Sequence, residues 1–521
     1  MEPIGGALIA LFVVATAVAL LVRWLRIPYT VGLVVAGLAL GMSSFIHPPA
    51  LTKDLLFSVF LPGLLFEAAF HLEFRRFRAN QLTILALALP GVAVAIALTA
   101  GFLTPAAAFF RFGGNFGLVH GLVFGAVISA TDPIAVVALF KNLGVPSRLG
   151  VLVEGESLLN DGTAVVFFSI ISAAALGAKV SVLGGALEFA RVVGIGLAAG
   201  GVAGLIASAV IRHVDDAMIE ITVTTIAAYG SFAVGEGLHG SGVIATVVAG
   251  MLCGNYGART GMSPSTRLAA ETFWEYAAFA LNSVVFLLIG FEVRLPRLLS
   301  SWLPIVVAYL VVTVGRGLVI LLVSLALRRT REKLPLKWTA VLTWGGLRGG
   351  LSMVLVLALP SGFPHRDLLI TLTFGVVVLS ILLQGLTMGP LLRRLGVVRA
   401  TDESTDYGRA MAKAFSARAA LEALDGIAEV HGAPSALSDK LRTEYDDRLR
   451  AAEQDVTRLH GELSEVRERT ERGVRRALLL VEKEALLKAQ HQGVIGDDAL
   501  RPVRADADAR LNHLDWSEEG D

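Results

Sequence analysis

Residues 154–166 read Glu154-Gly155-Glu156-Ser157-Leu158-Leu159-Asn160-Asp161-Gly162-Thr163-Ala164-Val165-Val166, inside a run otherwise apolar enough to cross a bilayer. A carboxylate at bilayer depth is costly and therefore rare unless it has a task. Ser157 and Asp161 are spaced i, i+4 and share a helix face, and Glu156 and Asn160 share the neighbouring face. One side of this helix is therefore lined with hard oxygens. Just upstream, a second apolar segment carries Ser129-Ala130-Thr131-Asp132-Pro133. Pro133 has no N–H and its ring clashes with the preceding turn, so a break or kink is predicted there. The break would free backbone carbonyls beside Asp132 and bring Asp132 and Asp161 to similar depth. Hard oxygen ligands suit a small hard cation or a proton.

Composition agrees with a membrane setting. The chain has 521 residues, 55% of them hydrophobic and only 17% charged, with a mean hydropathy of +0.68. A soluble protein of this size carries roughly 25% charged residues, so a polytopic membrane protein is expected. The net charge of +1 gives no sign of nucleic-acid binding. The single cysteine, Cys253, lies in an apolar run and reads as a small buried hydrophobe. The first apolar run has no basic flank or cleavage site before it and reads as a retained span rather than a signal peptide.

Apolar windows separated by charged or Gly/Pro breaks give about thirteen spans. They are placed at 4–22, 30–46, 51–71, 81–103, 117–140, 150–176, 181–211, 219–238, 240–256, 270–290, 302–327, 336–358 and 367–394. Alternate loops differ in basic charge. One set holds fifteen: Arg23, Arg26, Arg75, Arg76, Arg78, Lys141, Arg148, Arg212, Arg259, Arg267, Arg328, Arg329, Arg331, Lys333 and Lys337. The other holds six: Lys53, Arg111, Lys179, Arg294, Arg297 and Arg366. The basic set is expected in the cytoplasm, which places the N-terminus outside and the C-terminus inside. Six spans over 4–176 and six over 219–394, joined by one more, must have opposite topology, the inverted repeat of many secondary transporters. Its mirror of the 117–140 span is 336–358, where Trp344-Gly345-Gly346-Leu347-Arg348-Gly349-Gly350 makes a regular helix costly.

The Thr131-Asp132-Pro133 motif, followed 29 residues after Thr131 by Asn160-Asp161 within Glu156-Ser157-Leu158-Leu159-Asn160-Asp161-Gly162, resembles the monovalent cation/proton antiporters, in particular their sodium/proton exchanger branch. The resemblance runs over roughly residues 5–395. It implies an all-α fold of two inverted six-helix repeats, with broken helices crossing near the binding carboxylate. It implies that Asp161 takes cation and proton in turn, with Asp132, Asn160, Thr131 and Ser157 forming the site, and Asp161, Asp132 and Ser157 as the metal-ion ligands. An Asn-Asp pair, rather than two aspartates, resembles the electroneutral branch. The family also implies an ion pair between Glu156 and Arg316, the latter deep in Val312-Thr313-Val314-Gly315-Arg316-Gly317-Leu318. A homodimer is implied by the resemblance alone.

Read from the residues, Asp132 has two possible roles, as part of the site or as a cap on the second half of its broken helix. Asn160 can also serve as a helix–helix hydrogen bonder. Arg348 is expected to compensate the carbonyl ends of its own broken span. Glu67, in Phe66-Glu67-Ala68-Ala69-Phe70, is either structural or part of an extracellular access path, and Glu154 is expected at a solvated span end. With no P-loop, dinucleotide fingerprint or H-E-x-x-H motif, the expectation is a secondary transporter without cofactor, not an enzyme. The resemblance implies a cargo of sodium (with lithium), with potassium as the alternative, exchanged for protons across the cell membrane, and the expected partners are those ions and the lipid bilayer, with no nucleic acid. An intramembrane aspartyl protease needs a pair of aspartates sharing a proton, but the Gly-x-Gly-Asp pattern of those enzymes is absent: Leu159-Asn160 precedes Asp161.

The expected domains are a transmembrane unit over 1–400 and a cytoplasmic helical tail over 401–521. The tail is rich in Asp, Glu, Arg and Ala, with apolar residues at helical spacing in Val456, Leu459, Leu463 and Val466, and in Val474, Leu478 and Val481.

Overall fold

The computed structural model describes residues 4–25, 27–42, 55–178, 181–214, 216–258, 261–292, 295–398, 402–430 and 434–462, with scattered positions beyond. Arg26, Lys53, Lys179, Arg259, Arg294, Leu463 and Val466, and the expected span ends at 43–46 and 51–54, lie outside the described residues.

The chain is all helix among those residues and divides into two units, Met1–Val398 and Arg399–Asp521. The first unit opens with α1 (Ile4–Leu25), α2 (Tyr29–Met42), α3 (Leu61–His71) and α4 (Phe74–Ala79). A long rod follows, made of α5 (Gln81–Ala86), a π turn at Leu87–Gly91 and α6 (Val92–Phe109). It runs through Pro105 to Phe109 rather than stopping at residue 103. Then come α7 (Leu118–Ser129), α8 (Ile134–Leu143), α9 (Ser147–Ala175), α10 (Val182–Ile211), α11 (Ala217–Gly237) and α12 (Gly242–Leu252). The remainder is α13 (Pro264–Glu292), α14 (Leu295–Ser300), α15 (Trp302–Leu327), α16 (Leu336–Trp344), α17 (Gly350–Leu357), α18 (Arg366–Leu379), a π turn at Ser380–Gln384 and α19 (Gly385–Arg394). Among the described residues, eight helical stretches are long and apolar enough to cross a bilayer, and four shorter apolar helices lie at 9–22, 29–42, 57–71 and 242–257. The exposed faces of α10 and α15 are apolar, including Leu197, Val202, Leu205, Leu310, Leu322 and Leu325. Such surface is costly in water and cost-free against lipid.

Two breaks organise this unit. After Ser129 the backbone turns extended, with Ala130 at φ −57°, ψ 138°, and helix resumes only past Pro133. Between α16 and α17 the residues Gly345–Gly349 are non-helical, Gly349 being extended at φ −122°, ψ −163°. The breaks touch: the Asp132 amide donates to the Leu347 carbonyl at 2.8 Å. Each supplies what the other's freed backbone needs, which is how irregular chain persists at membrane depth.

At one end of the unit Glu332 is buried, and its carboxylate accepts the amides of Leu82 (3.2 Å) and Thr83 (2.8 Å). It thereby caps α5, whose first-turn N–H groups have no intrahelical acceptor. Beside it Arg148 donates Nε to Asn80 Oδ1 at 2.7 Å and lies over the Trp338 ring.

In the second unit, α20 (Asp402–Val430) and α21 (Ser435–Glu462) run antiparallel, because Arg418 pairs with Glu453 while Asp425 pairs with Arg442. Ala410, Ala417 and Ala452 are buried in this unit.

Candidate cation and proton site

The polar face of α9 packs against the α7–α8 break. Glu156, Ser157 and Asn160 are buried, while Asp161 is partly open. The Ser157 hydroxyl donates to the Thr131 carbonyl. The Asn160 amide group donates to the Ser129 carbonyl at 2.8 Å and to the Thr131 hydroxyl at 3.3 Å. The Thr131 amide reaches the Asp161 carboxylate. Two acceptor oxygens remain: Oδ1 of Asp161 and Oδ1 of Asn160 are buried and have no hydrogen-bond partner among the described residues. An unsatisfied buried acceptor costs about 1–3 kcal/mol. A cation, a proton on the carboxylate or a water would relieve that cost. Thr131, Ser157, Asn160 and Asp161 thus lie together around one small oxygen-rich place.

Asp132 sits on the opposite side of the break. Its Oδ1 accepts the Ile134 amide at 3.0 Å and so caps α8, leaving its second oxygen for other partners. Its side chain is partly open and borders a narrow crevice lined by Thr30, Phe286, Leu347 and Arg348 that has no room for a water. Gly349 faces it across the crossing, and a Cβ there would fall 2.5 Å from the Asp132 Cβ. Among the described residues no three Asp, Glu, His or Cys side chains converge to hold a metal ion. Ligation at this place would therefore draw on hydroxyl, amide and carbonyl oxygens as well as carboxylate.

Arg348 is buried and does not serve the carbonyl ends of its own span, as the sequence suggested. Its Nη1 donates to the carbonyls of Ser129 at 2.8 Å and Ala130 at 3.4 Å, the C-terminal end of α7 in the other broken span. The reason is local. The Asp132-Pro133 break orphans those carbonyls, which also carry the negative end of the α7 dipole. Ser380 accepts the Arg348 backbone amide at 3.1 Å and holds its strand of the crossing in place.

Below the crossing, Arg316 of α15 and Glu156 of α9 form a two-pronged pair. Nη1 meets Oε1 at 2.7 Å and Nη2 meets Oε2 at 3.1 Å. Nε donates to the Leu342 carbonyl at 3.1 Å, in the last turn of α16. The guanidinium lies so close to Gly346 that a Cβ there would fall 2.1 Å from Nε.

Two expected positions move. Glu67 pairs with His71 Nδ1 at 3.2 Å near the end of α3, next to the basic Arg75–Arg78 segment, and acts electrostatically on Glu154 together with Lys141 and Arg76. It therefore lies toward the basic end of the bundle. Glu154 is half-buried within that charged group rather than solvated alone. Sequence reasoning passed over Ser380 and Gln384, which a π turn presents to the interior. Their signal was present as two polar residues in the otherwise apolar Leu379-Ser380-Ile381-Leu382-Leu383-Gln384. The Ser129 carbonyl, shared by Asn160 and Arg348, is a backbone group with no signature in sequence.

Two broken helices crossing beside a carboxylate, inside an all-helical bundle with lipid-compatible faces, define a multi-pass ion transporter. Residues 8–394 match the family described as "Sodium/hydrogen exchanger, transmembrane", and the chain belongs to that family of secondary transporters, which exchange sodium ions and protons without a cofactor. Among curated relatives, it is 33% identical over 504 residues to the Na(+)/H(+) antiporter NhaG of Bacillus atrophaeus, covering 93% of each chain. It is 38% identical over 413 residues to the Na(+)/H(+) antiporter NhaP of Pseudomonas aeruginosa, covering 74% of this chain and 96% of the relative. In fold it is similar to the sodium proton antiporter MjNhaP1 of Methanocaldococcus jannaschii, with a TM-score of 0.61 at 19% identity over 75% of this chain and 97% of that one.

Proposed function

We propose that the chain exchanges sodium, and lithium at the same place, for protons, one for one, by alternating access. The observation that carries the reading is the pair of unpartnered oxygens, Asp161 Oδ1 and Asn160 Oδ1, beside Thr131 and Ser157 at the crossing. Asp161 takes the proton and the cation in turn. The Ser157 and Thr131 oxygens and the amide oxygen of Asn160 complete its shell, and Asp132 supplies a second carboxylate across the break. Asn160 brings an oxygen without a charge, so each cycle moves one positive charge each way. Glu156 and Arg316 hold α9 to α15 and take no cargo. Arg348 keeps the end of α7 fixed while the cargo changes. The names of the relatives support sodium over potassium.

The same reading has residues 1–400 as the transmembrane domain, with about thirteen crossings in two inverted repeats. It places the protein in the cell membrane, with the N-terminus outside, residues 401–521 in the cytoplasm and two copies forming a dimer.

Proteoliposomes loaded with a pH-sensitive dye test the proposal. Sodium and lithium should each drive proton efflux, potassium should not, and Asp161→Asn should abolish the signal. Clamping the membrane potential with valinomycin should leave the rate unchanged. Exchange driven equally well by potassium favours the potassium reading, and flux by Asp161→Asn overturns the assignment of the carboxylate.

A further inference from the structure

A second narrow space lies where α15, the α16–α17 break and the Ser380–Gln384 π turn meet. It is bordered by Tyr309, Thr313, Arg316, Arg348, Ser380 and Gln384. Its free volume is about 10 Å³, room for the centre of one water and no more. Tyr309 and Gln384 are 6% and 3% exposed. The Tyr309 hydroxyl faces Thr313 and Gln384, yet it makes no hydrogen bond of good geometry, and Gln384 Oε1 has no donor. Polar groups that face one another without bonding, around a space of this size, are the setting in which a water bridges.

We infer that this space is a binding site for a single water, held by the Tyr309 hydroxyl and Gln384 Oε1. The water accepts from Tyr309 and donates to Gln384, and it has a second proton for the Ser380 oxygen, which already accepts the Arg348 amide. Two guanidinium groups on the border raise the alternative of a small anion. An anion has no proton to give Gln384 Oε1. Moreover, the Arg316 charge is already met by Glu156 and the Arg348 head by two carbonyls. The water therefore fits the donors and acceptors as they stand. Its consequence is mechanical. It ties α15, which carries Arg316, to the π turn, which holds the Arg348 backbone. The two arginines that clamp the crossing are then fastened to each other through solvent rather than directly. Ser380 and Gln384, spaced i, i+4, are both buried and are offered inward from one face of their helix.

The test uses the full chain in lipid nanodiscs. Gln384→Met keeps the length of the side chain and removes its amide oxygen and nitrogen together, and Tyr309→Phe removes only the hydroxyl. With the water present, each variant breaks a bond that the water makes, and the melting temperature should fall by roughly 1–3 °C. The double variant should fall no further than the worse single one, because both act on the same water. If the space is dry, Tyr309→Phe removes an orphaned buried hydroxyl, and the melting temperature should hold or rise, which overturns the inference. A density map that resolves ordered waters should show one peak within hydrogen-bond distance of both atoms. No peak there, or an anomalous peak in crystals grown with bromide, would equally overturn it.

Discussion

Replacing Arg316 by alanine removes one half of a pair whose other half cannot retreat to water. Glu156 is 4% exposed, and both its oxygens are bonded to the guanidinium, at 2.7 and 3.1 Å. Breaking a buried pair from one side costs about 3–5 kcal/mol, since a desolvated charge is left without its partner. The carbonyl of Leu342 also loses its donor, a further ~1 kcal/mol. Arg316→Ala should therefore lose most of the chain's thermal stability margin. Adding Glu156→Ala removes the stranded carboxylate and should restore about 0.5–3 kcal/mol, the range of coupling found for residues in direct contact. Gly346→Ala approaches the same pair from another side, because its Cβ would occupy the guanidinium's place. It should be destabilising in the wild-type background and nearly neutral when Arg316 is alanine. Detergent-solubilised protein followed by fluorescence-detected size exclusion after heating gives all the values of this cycle. If the losses for Arg316→Ala and Glu156→Ala simply add, the two side chains do not depend on each other and the reasoning fails.

At the proposed cargo site, cation and proton competing for Asp161 should give a bell-shaped pH profile of sodium-driven flux whose acid limb moves to lower pH as sodium rises; a limb that stays fixed under a large increase would count against competition. Asp132→Asn keeps an oxygen able to accept the Ile134 amide, whereas Asp132→Ala loses the cap at a cost of about 1 kcal/mol. Asn should therefore preserve thermal stability while lowering cation affinity, and if both variants transport normally, Asp132 is a cap and nothing else. Gly349→Ala places a methyl group 2.5 Å from the Asp132 Cβ, so flux should drop severely, and normal flux would mean that the crossing is looser than it looks. Glu332→Ala deprives two amides at the start of α5 of their acceptor and should cost about 1–3 kcal/mol in the same heating assay, with Glu332→Gln recovering part of it.

Much of this was legible in the residues themselves. Desolvating a charge is so costly that Glu156, Asn160 and Asp161 in one apolar run mark a candidate site before any fold is known. Proline's missing N–H and the glycine run likewise announced the two breaks, because those effects are local to the backbone. The bundle and the family follow from apolar length, spacing and motif, which need no neighbour to be read. Tertiary structure alone decided who bonds to whom. Arg348 serves the end of α7 rather than its own span because the crossing sets it against carbonyls that Pro133 leaves free. Glu67 lies at the basic end because α3 packs with its last turn there, beside Glu154. Ser380 and Gln384 share a helix face by their i, i+4 spacing, but only the packing of that face against Arg348 and Tyr309 gives them their neighbours. The shared acceptor of Asn160 and Arg348 is the Ser129 carbonyl, a group every residue has, and only the meeting of three helices makes that one matter.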